Sequence, residues 1–231
     1  RYADLHPYNI AQKTEIMIET FREKTRHSIG GRGKAMVVTS SRLAAVRYLN
    51  EFKRYIDEKG YRDIGVLVAF SGDVIDGDDH YNEVGLNILK DGSHVKENQL
   101  KEVFHGPDFN ILIVAEKYQT GFDEPLLHTM FVDKKLRGVK AVQTLSRLNR
   151  TTTNKSDTFI LDFKNTAEEI QKAFQPFYEV SSLDKAIDPN MLYDAKEKIR
   201  KYKIYTDEDV LKVSGLYSKA SIEQDAKLLG R

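Results

Sequence analysis

The chain has 231 residues, no cysteine and a formal net charge of +1, with 36 lysines and arginines set against 35 acids. That balance excludes a domain whose whole surface is basic but leaves local basic patches open, because attraction to phosphate follows the distribution of charge. With 40 % hydrophobic and 31 % charged residues and no apolar run near the ~20 residues that span a bilayer, the chain reads as a globular protein of a reducing cytoplasm, with neither a disulfide framework nor a cysteine metal site.

The length suits one α/β domain of about 150 residues with a smaller appendage. The chain begins at Arg1, so it is expected to be part of a longer protein. Residues 9–28 space Ile10, Ile16, Met17 and Phe21 as an amphipathic entry helix, with Asn9 available as its N-cap. The three glycines of Ile29-Gly30-Gly31-Arg32-Gly33 break it. They do not form a phosphate loop, since Gly33-Lys34-Ala35 precedes a strand and lacks the hydroxyl that a G-x-x-x-x-G-K-[ST] motif requires. Ala35–Thr39 reads as that strand. Thr39-Ser40-Ser41 offers a cap for a helix from Arg42 to Lys59, which carries a stripe of Leu43, Val46, Leu49, Phe52 and Ile56 and stops at Gly60. Ile64–Phe70 is the next strand. From residue 73 to 95 the periodicity is lost in a segment crowded with Asp73, Asp76, Asp78, Asp79 and His80. It reads as a mobile insertion, and its spacing does not match a calcium loop.

A short helix over Glu97–Phe104 leads to Ile111–Ala115, an aliphatic run read as a buried strand. The loop Glu116–Pro125 follows at once and contains Thr120, Gly121 and Asp123. A glycine and a carboxylate just past a strand's carboxyl end occupy the place where open α/β sheets bind ligands. After a second strand, His128–Val132, a helix from Val139 would carry Gln143, Arg147 and Arg150 on one face, at spacings of four and three. Thr158–Phe163 and a helix from Ala167 to Tyr178 complete an alternation of strand and helix. That alternation predicts a parallel sheet covered on both faces. Three parts follow: an entry helix and linker over 1–33, the sheet domain over 34–181, and a smaller helical extension over 182–231.

Arginines three apart on a helix usually mark nothing more than a solvated face. Here T-G-x-D-x-P (Thr120–Pro125) precedes Q-x-x-S-R-x-x-R (Gln143–Arg150) by about twenty residues, with a strand between them. This ordered constellation resembles motifs V and VI of the second RecA-like domain of superfamily 2 helicases and translocases. The wording EKYQTGFDEP followed by DKKLRGVKAVQTLSRLNRT is similar to the motor (R) subunit of type I restriction endonucleases. The strand–TSSR–helix segment matches motif IV of the same superfamily.

The resemblance implies a RecA-like α/β fold and half of an ATP-dependent double-stranded DNA translocase. Arg147 and Arg150 would reach the triphosphate, and Gly121, Asp123 and Gln143 would line the nucleotide cleft. Ser40, Ser41, Arg42 and Thr120 would hold DNA phosphates. It implies ATP and Mg2+ in the intact motor, with phosphate loop and metal ligands outside this chain, since no Walker A or D-E-x-[HD] sequence occurs. Implied partners are double-stranded DNA, the first RecA-like domain and nuclease domain of the same protein, and methylation and specificity subunits; no membrane is implied. Ser146 stands where the family usually has glycine, and Ala115-Glu116 where many members have threonine. The acid-free run from Lys134 to Lys155 is expected to face phosphate as a patch of Lys134, Lys135, Arg137, Lys140, Arg147, Arg150 and Lys155. Two rivals remain: another superfamily 2 enzyme, such as a repair helicase or type III restriction subunit, and a RecA-like domain retained only for assembly.

Overall fold

Five strands form one all-parallel sheet, in the computed structural model, in the order β2-β5-β1-β6-β7. They are β1 (Lys34–Thr39), β2 (Val66–Ala69), β5 (Ile111–Val114), β6 (Leu127–Asp133) and β7 (Phe159–Asp162). The structure describes residues 5–118 and 121–178, so Thr120 and the proposed extension over 182–231 lie outside the described residues. The chain divides into two units, Arg1–Phe177 and Tyr178–Arg231, and the sheet belongs to the first.

Every residue of β1, β2, β5 and β6 is buried. Side chains of a strand alternate between faces, so a strand buried on both sides reads as a continuous aliphatic run. The division is clean. Ala35, Val37, Ile111, Ile113 and Phe131 pack on one face with α1 (Pro7–Thr20) and α3 (Arg42–Lys59). Met36, Val38, Leu112, Val114, Met130 and Val132 pack on the other with α5 (Leu100–His105), α6 (Gly138–Leu145) and α7 (Ala167–Tyr178). The α/β fold with helices on both faces of a parallel sheet is therefore observed.

Several local expectations change. Helix α1 starts at Pro7, with His6 Nδ1 accepting from the Tyr8 amide at 3.3 Å, so Asn9 lies inside the first turn and does not cap it. Proline at the first helical position has its φ preset and needs no amide partner, which fixes the earlier start. The helix runs into a π-helical turn, Phe21–Thr25, and then a short irregular turn, α2 (Ser28–Gly31). The π turn sets Thr25 Oγ1 2.5 Å from Thr129 Oγ1 of β6. Helix α3 is capped as expected: Ser41 Oγ accepts from Ala44 N at 3.1 Å, and Gly60 ends it with φ 68°.

The segment 73–95, read as an insertion, carries regular structure. It forms a hairpin, β3 (Val74–Asp76) with β4 (Asp79–Tyr81), and a turn of helix, α4 (Glu83–Leu86). Arg47 holds Asp76 with two hydrogen bonds of 2.8 and 2.6 Å. The physical reason for the order is the outer edge of β2. Asn87 accepts from Val68 N at 2.9 Å and donates to Val68 O at 2.8 Å, as a neighbouring strand would, and Glu83 Oε2 accepts from Phe70 N at 2.8 Å. The insertion thus satisfies an edge that would otherwise present unpaired backbone groups.

Candidate functional site

The loop after β5 does not stay at the carboxyl end of the sheet. It leaves Val114, and by Glu124 it has reached the amino end. Buried Glu124 accepts from Leu126 N at 2.9 Å and meets His105 Nδ1 at 3.0 Å, while Leu126 O accepts from the amide of Lys34, the first residue of β1. Between these ends the loop runs along the face that α5 covers. Lys101 of α5 donates to Gly121 O at 3.0 Å, and Phe122 is buried with its ring 6.0 Å from Phe104 and 4.9 Å from Tyr118. Gly121 takes φ 69°, a conformation that an L side chain rarely adopts. Gly121 and Asp123 lie on this stretch, Gly121 beside the start of α5 and Asp123 next to Glu124.

The arginines meet this loop from the other side. Helix α6 ends at Leu145, Ser146–Asn149 form a 3-10 turn, and Arg150 is already extended, so the single helical face expected for Gln143, Arg147 and Arg150 is replaced by two kinds of turn. With three residues per turn, a 3-10 segment places positions three apart above one another, which keeps Arg147 and Arg150 together. Arg147 Nη1 donates to Phe122 O at 2.5 Å, and Arg150 Nε lies 3.1 Å from Asp123 Oδ1. Gln143 is exposed on the preceding α-helical turn. Burial first, then the charge of Arg150, lowers the Arg147 guanidinium from its ordinary value, with Asp123 opposing. Lys155 closes the cluster from behind, donating to Leu148 O and Arg150 O at 2.7 Å each and to Pro125 O at 3.2 Å.

The basic run is accordingly not one phosphate-facing patch. Acids that are distant in sequence reach it in space: Lys135 pairs with Glu169 at 2.5 Å, Lys134 lies 3.8 Å from Glu116, and Lys155 is spent on carbonyls. Arg137 and Lys140 remain exposed beside the start of α6. Ser40, Ser41 and Arg42 form a separate group at the carboxyl end of β1, where α3 begins. There Ser40 is exposed, the Ser41 hydroxyl caps α3, and Arg42 donates to Ser71 O at 3.0 Å.

A third group escaped the sequence reading. Lys117 Nζ sits 2.9 Å from both oxygens of Glu83 and 2.6 Å from Glu97, tying the insertion to the loop that carries Phe122 and Asp123. Its partners lie 34 and 20 residues away, and no spacing in the sequence announces them.

Residues 81–165 match the family model described as type I restriction enzyme subunit R domain 3. This segment resembles domain 3 of the R subunit of type I restriction enzymes. The match begins at the last residue of β4 and contains the loop after β5 and both arginines. Among R-subunit relatives, the type I restriction enzyme HindI endonuclease subunit of Haemophilus influenzae is 28 % identical over 162 residues, which cover 62 % of this chain and 14 % of the relative. The SauCOLORF180P endonuclease subunit of Staphylococcus aureus is 29 % identical over 108 residues, 46 % of this chain and 10 % of the relative. The chain thus spans a small part of the subunits it matches. A fragment structure of a type I restriction HsdR subunit from Vibrio vulnificus superposes with a TM-score of 0.49 at 13 % identity, covering 77 % of this chain and 30 % of the other.

Proposed function

We propose that this chain is the second RecA-like half of the ATP-dependent double-stranded DNA translocase of a type I restriction endonuclease R subunit. The observation that carries the reading is the junction of Arg147 with Phe122 O and Arg150 with Asp123. It joins the two motifs that such a motor brings to the nucleotide.

Phosphoryl transfer is served by positioning and by charge placed on the phosphate oxygens. Arg147 and Arg150 supply permanent, planar charge able to contact two oxygens at once, while Gly121, Asp123 and Gln143 line the cleft. The incoming triphosphate competes with Asp123 for Arg150, an exchange that an exposed pair permits at small cost. ATP and its Mg2+ are held mainly by the first RecA-like domain, which would supply the phosphate loop and the metal ligands. Ser40, Ser41, Arg42 and Thr120 contact the DNA backbone without reading bases, as movement along any sequence requires. The nuclease domain of the same protein and the methylation and specificity subunits complete the assembly.

Half a motor does not turn over alone. The purified chain is expected to show no ATPase and no DNA cleavage, and to gain DNA-stimulated ATPase only with the domain that carries the phosphate loop. Steady ATP turnover by the chain alone, abolished by Arg147→Ala, contradicts the reading.

A further inference from the structure

The loop between β5 and the arginine site is held in an unfavourable backbone conformation. Glu116 has φ 61° and Tyr118 has φ 63°, both in the left-handed region that non-glycine residues rarely enter. Such conformations persist only where the surroundings over-determine them. Lys117, between the two, is what the surroundings hold. Its side chain is 12 % exposed, and its ammonium lies on Glu83, itself 6 % exposed, and on the more open Glu97. Glu83 is fixed in turn by Phe70 N at the end of β2. On the other side of the loop, Tyr118 stacks on Phe122, and the carbonyl of Phe122 receives Arg147.

From this continuous chain of contacts we infer that Lys117 is a positioning residue, and that the insertion over 73–95 is the clamp through which Glu83 holds it. The clamp keeps Tyr118, and through it Phe122 and Asp123, where the two arginines meet them. Lys117 touches no substrate in this account. The role rests on the reading of Arg147 and Arg150 as groups that act on ATP, but the loop geometry it requires can be measured without that reading.

The test has two arms. In this chain, Lys117→Met is expected to raise amide exchange at Tyr118 and over Gly121–Asp123 by at least about tenfold, leaving β1, β5 and β6 unchanged, because only the local anchor is lost. Lys117→Arg, which keeps the charge, restores most of the protection. In the intact R subunit, Lys117→Met is expected to lower kcat for DNA-stimulated ATP hydrolysis by about 10- to 100-fold with little change in KM for ATP, as a displaced catalytic group would. Should Lys117→Met fail to fold, Glu97→Gln, at the exposed arm of the clamp, carries the same exchange test with a smaller amplitude. Unchanged loop exchange in the folded variant overturns the inference. Increased exchange with unaltered kcat, where Arg147→Ala abolishes turnover, refutes the positioning role while the site reading stands. Turnover that survives Arg147→Ala refutes the site reading, and the positioning role with it.

Discussion

One loop carries two ion pairs of opposite character. Lys117 and Glu83 are 12 % and 6 % exposed, and Glu83 also accepts a backbone amide, whereas Arg150 and Asp123 are 58 % and 69 % exposed and meet through one 3.1 Å contact. Removing one partner of a buried pair strands the other charge in a medium that solvates it poorly. Removing one partner of an exposed pair lets water take its place. The first pair is therefore architecture and the second is an exchangeable contact. Charge alone, equal in both, does not tell them apart.

The buried side should break hardest. Glu83→Ala leaves Lys117 without its inner partner and Phe70 N without an acceptor, and is expected to destabilise the fold by about 3–5 kcal/mol in denaturant unfolding. A loss below ~1 kcal/mol would place Glu83 with the exposed pairs. Asn87→Ala removes both hydrogen bonds on Val68 at the edge of β2 and should cost about 2–3 kcal/mol. The uncovered edge should also make the variant more prone to self-association, which light scattering would register.

Lys34 sharpens the comparison through pH. It is buried at the start of β1 with Nζ on Gly106 O and Phe109 O, and desolvation pushes its pKa down to about 8 despite the nearby Glu124. A folded pKa below the unfolded value means that the fold disfavours the charged form. The penalty is fully present below pH 8 and is relieved as pH rises from 8 towards the unfolded value near 10.4. Relative to Lys34→Met, wild type should gain on the order of 2 kcal/mol across that window. A difference that stays constant with pH would show that the ammonium is solvated after all. On the exposed side, Arg150→Ala should change stability by less than about 0.5 kcal/mol, within reach of a careful melting comparison.

The contrast also separates what the chain announces from what it hides. The strands around Val37, Ile113 and Val132 are legible because strands covered on both faces need aliphatic residues at every position. Arg147 and Arg150 stand out as candidates because their spacing accompanies a glycine and an aspartate upstream, and the structure brings them against that loop. Their setting was not legible. Whether the chain continues α-helical past Leu145 or tightens into a 3-10 turn depends on packing against the loop after β5, which a helical pattern of residues does not encode. The work of Glu83 and Asn87 is equally hidden, since their partners are backbone groups of Phe70 and Val68, and any polar residue in the insertion reads alike until that edge is in place. Lys155 looked like one more phosphate-facing cation, and its three carbonyl partners emerge only from the fold.

The central claim is that Arg147 and Arg150 serve ATP hydrolysis, and the most direct measurement is DNA-stimulated ATPase alongside nucleotide binding in the intact R subunit carrying Arg147→Ala or Arg150→Ala. The account predicts that each variant folds, binds ATP and hydrolyses it at least roughly 10³-fold more slowly, with lysine a poor substitute at either position because a point charge cannot copy the planar fork. Wild-type turnover in both variants would contradict it and leave the two arginines as a solvated turn beside Asp123.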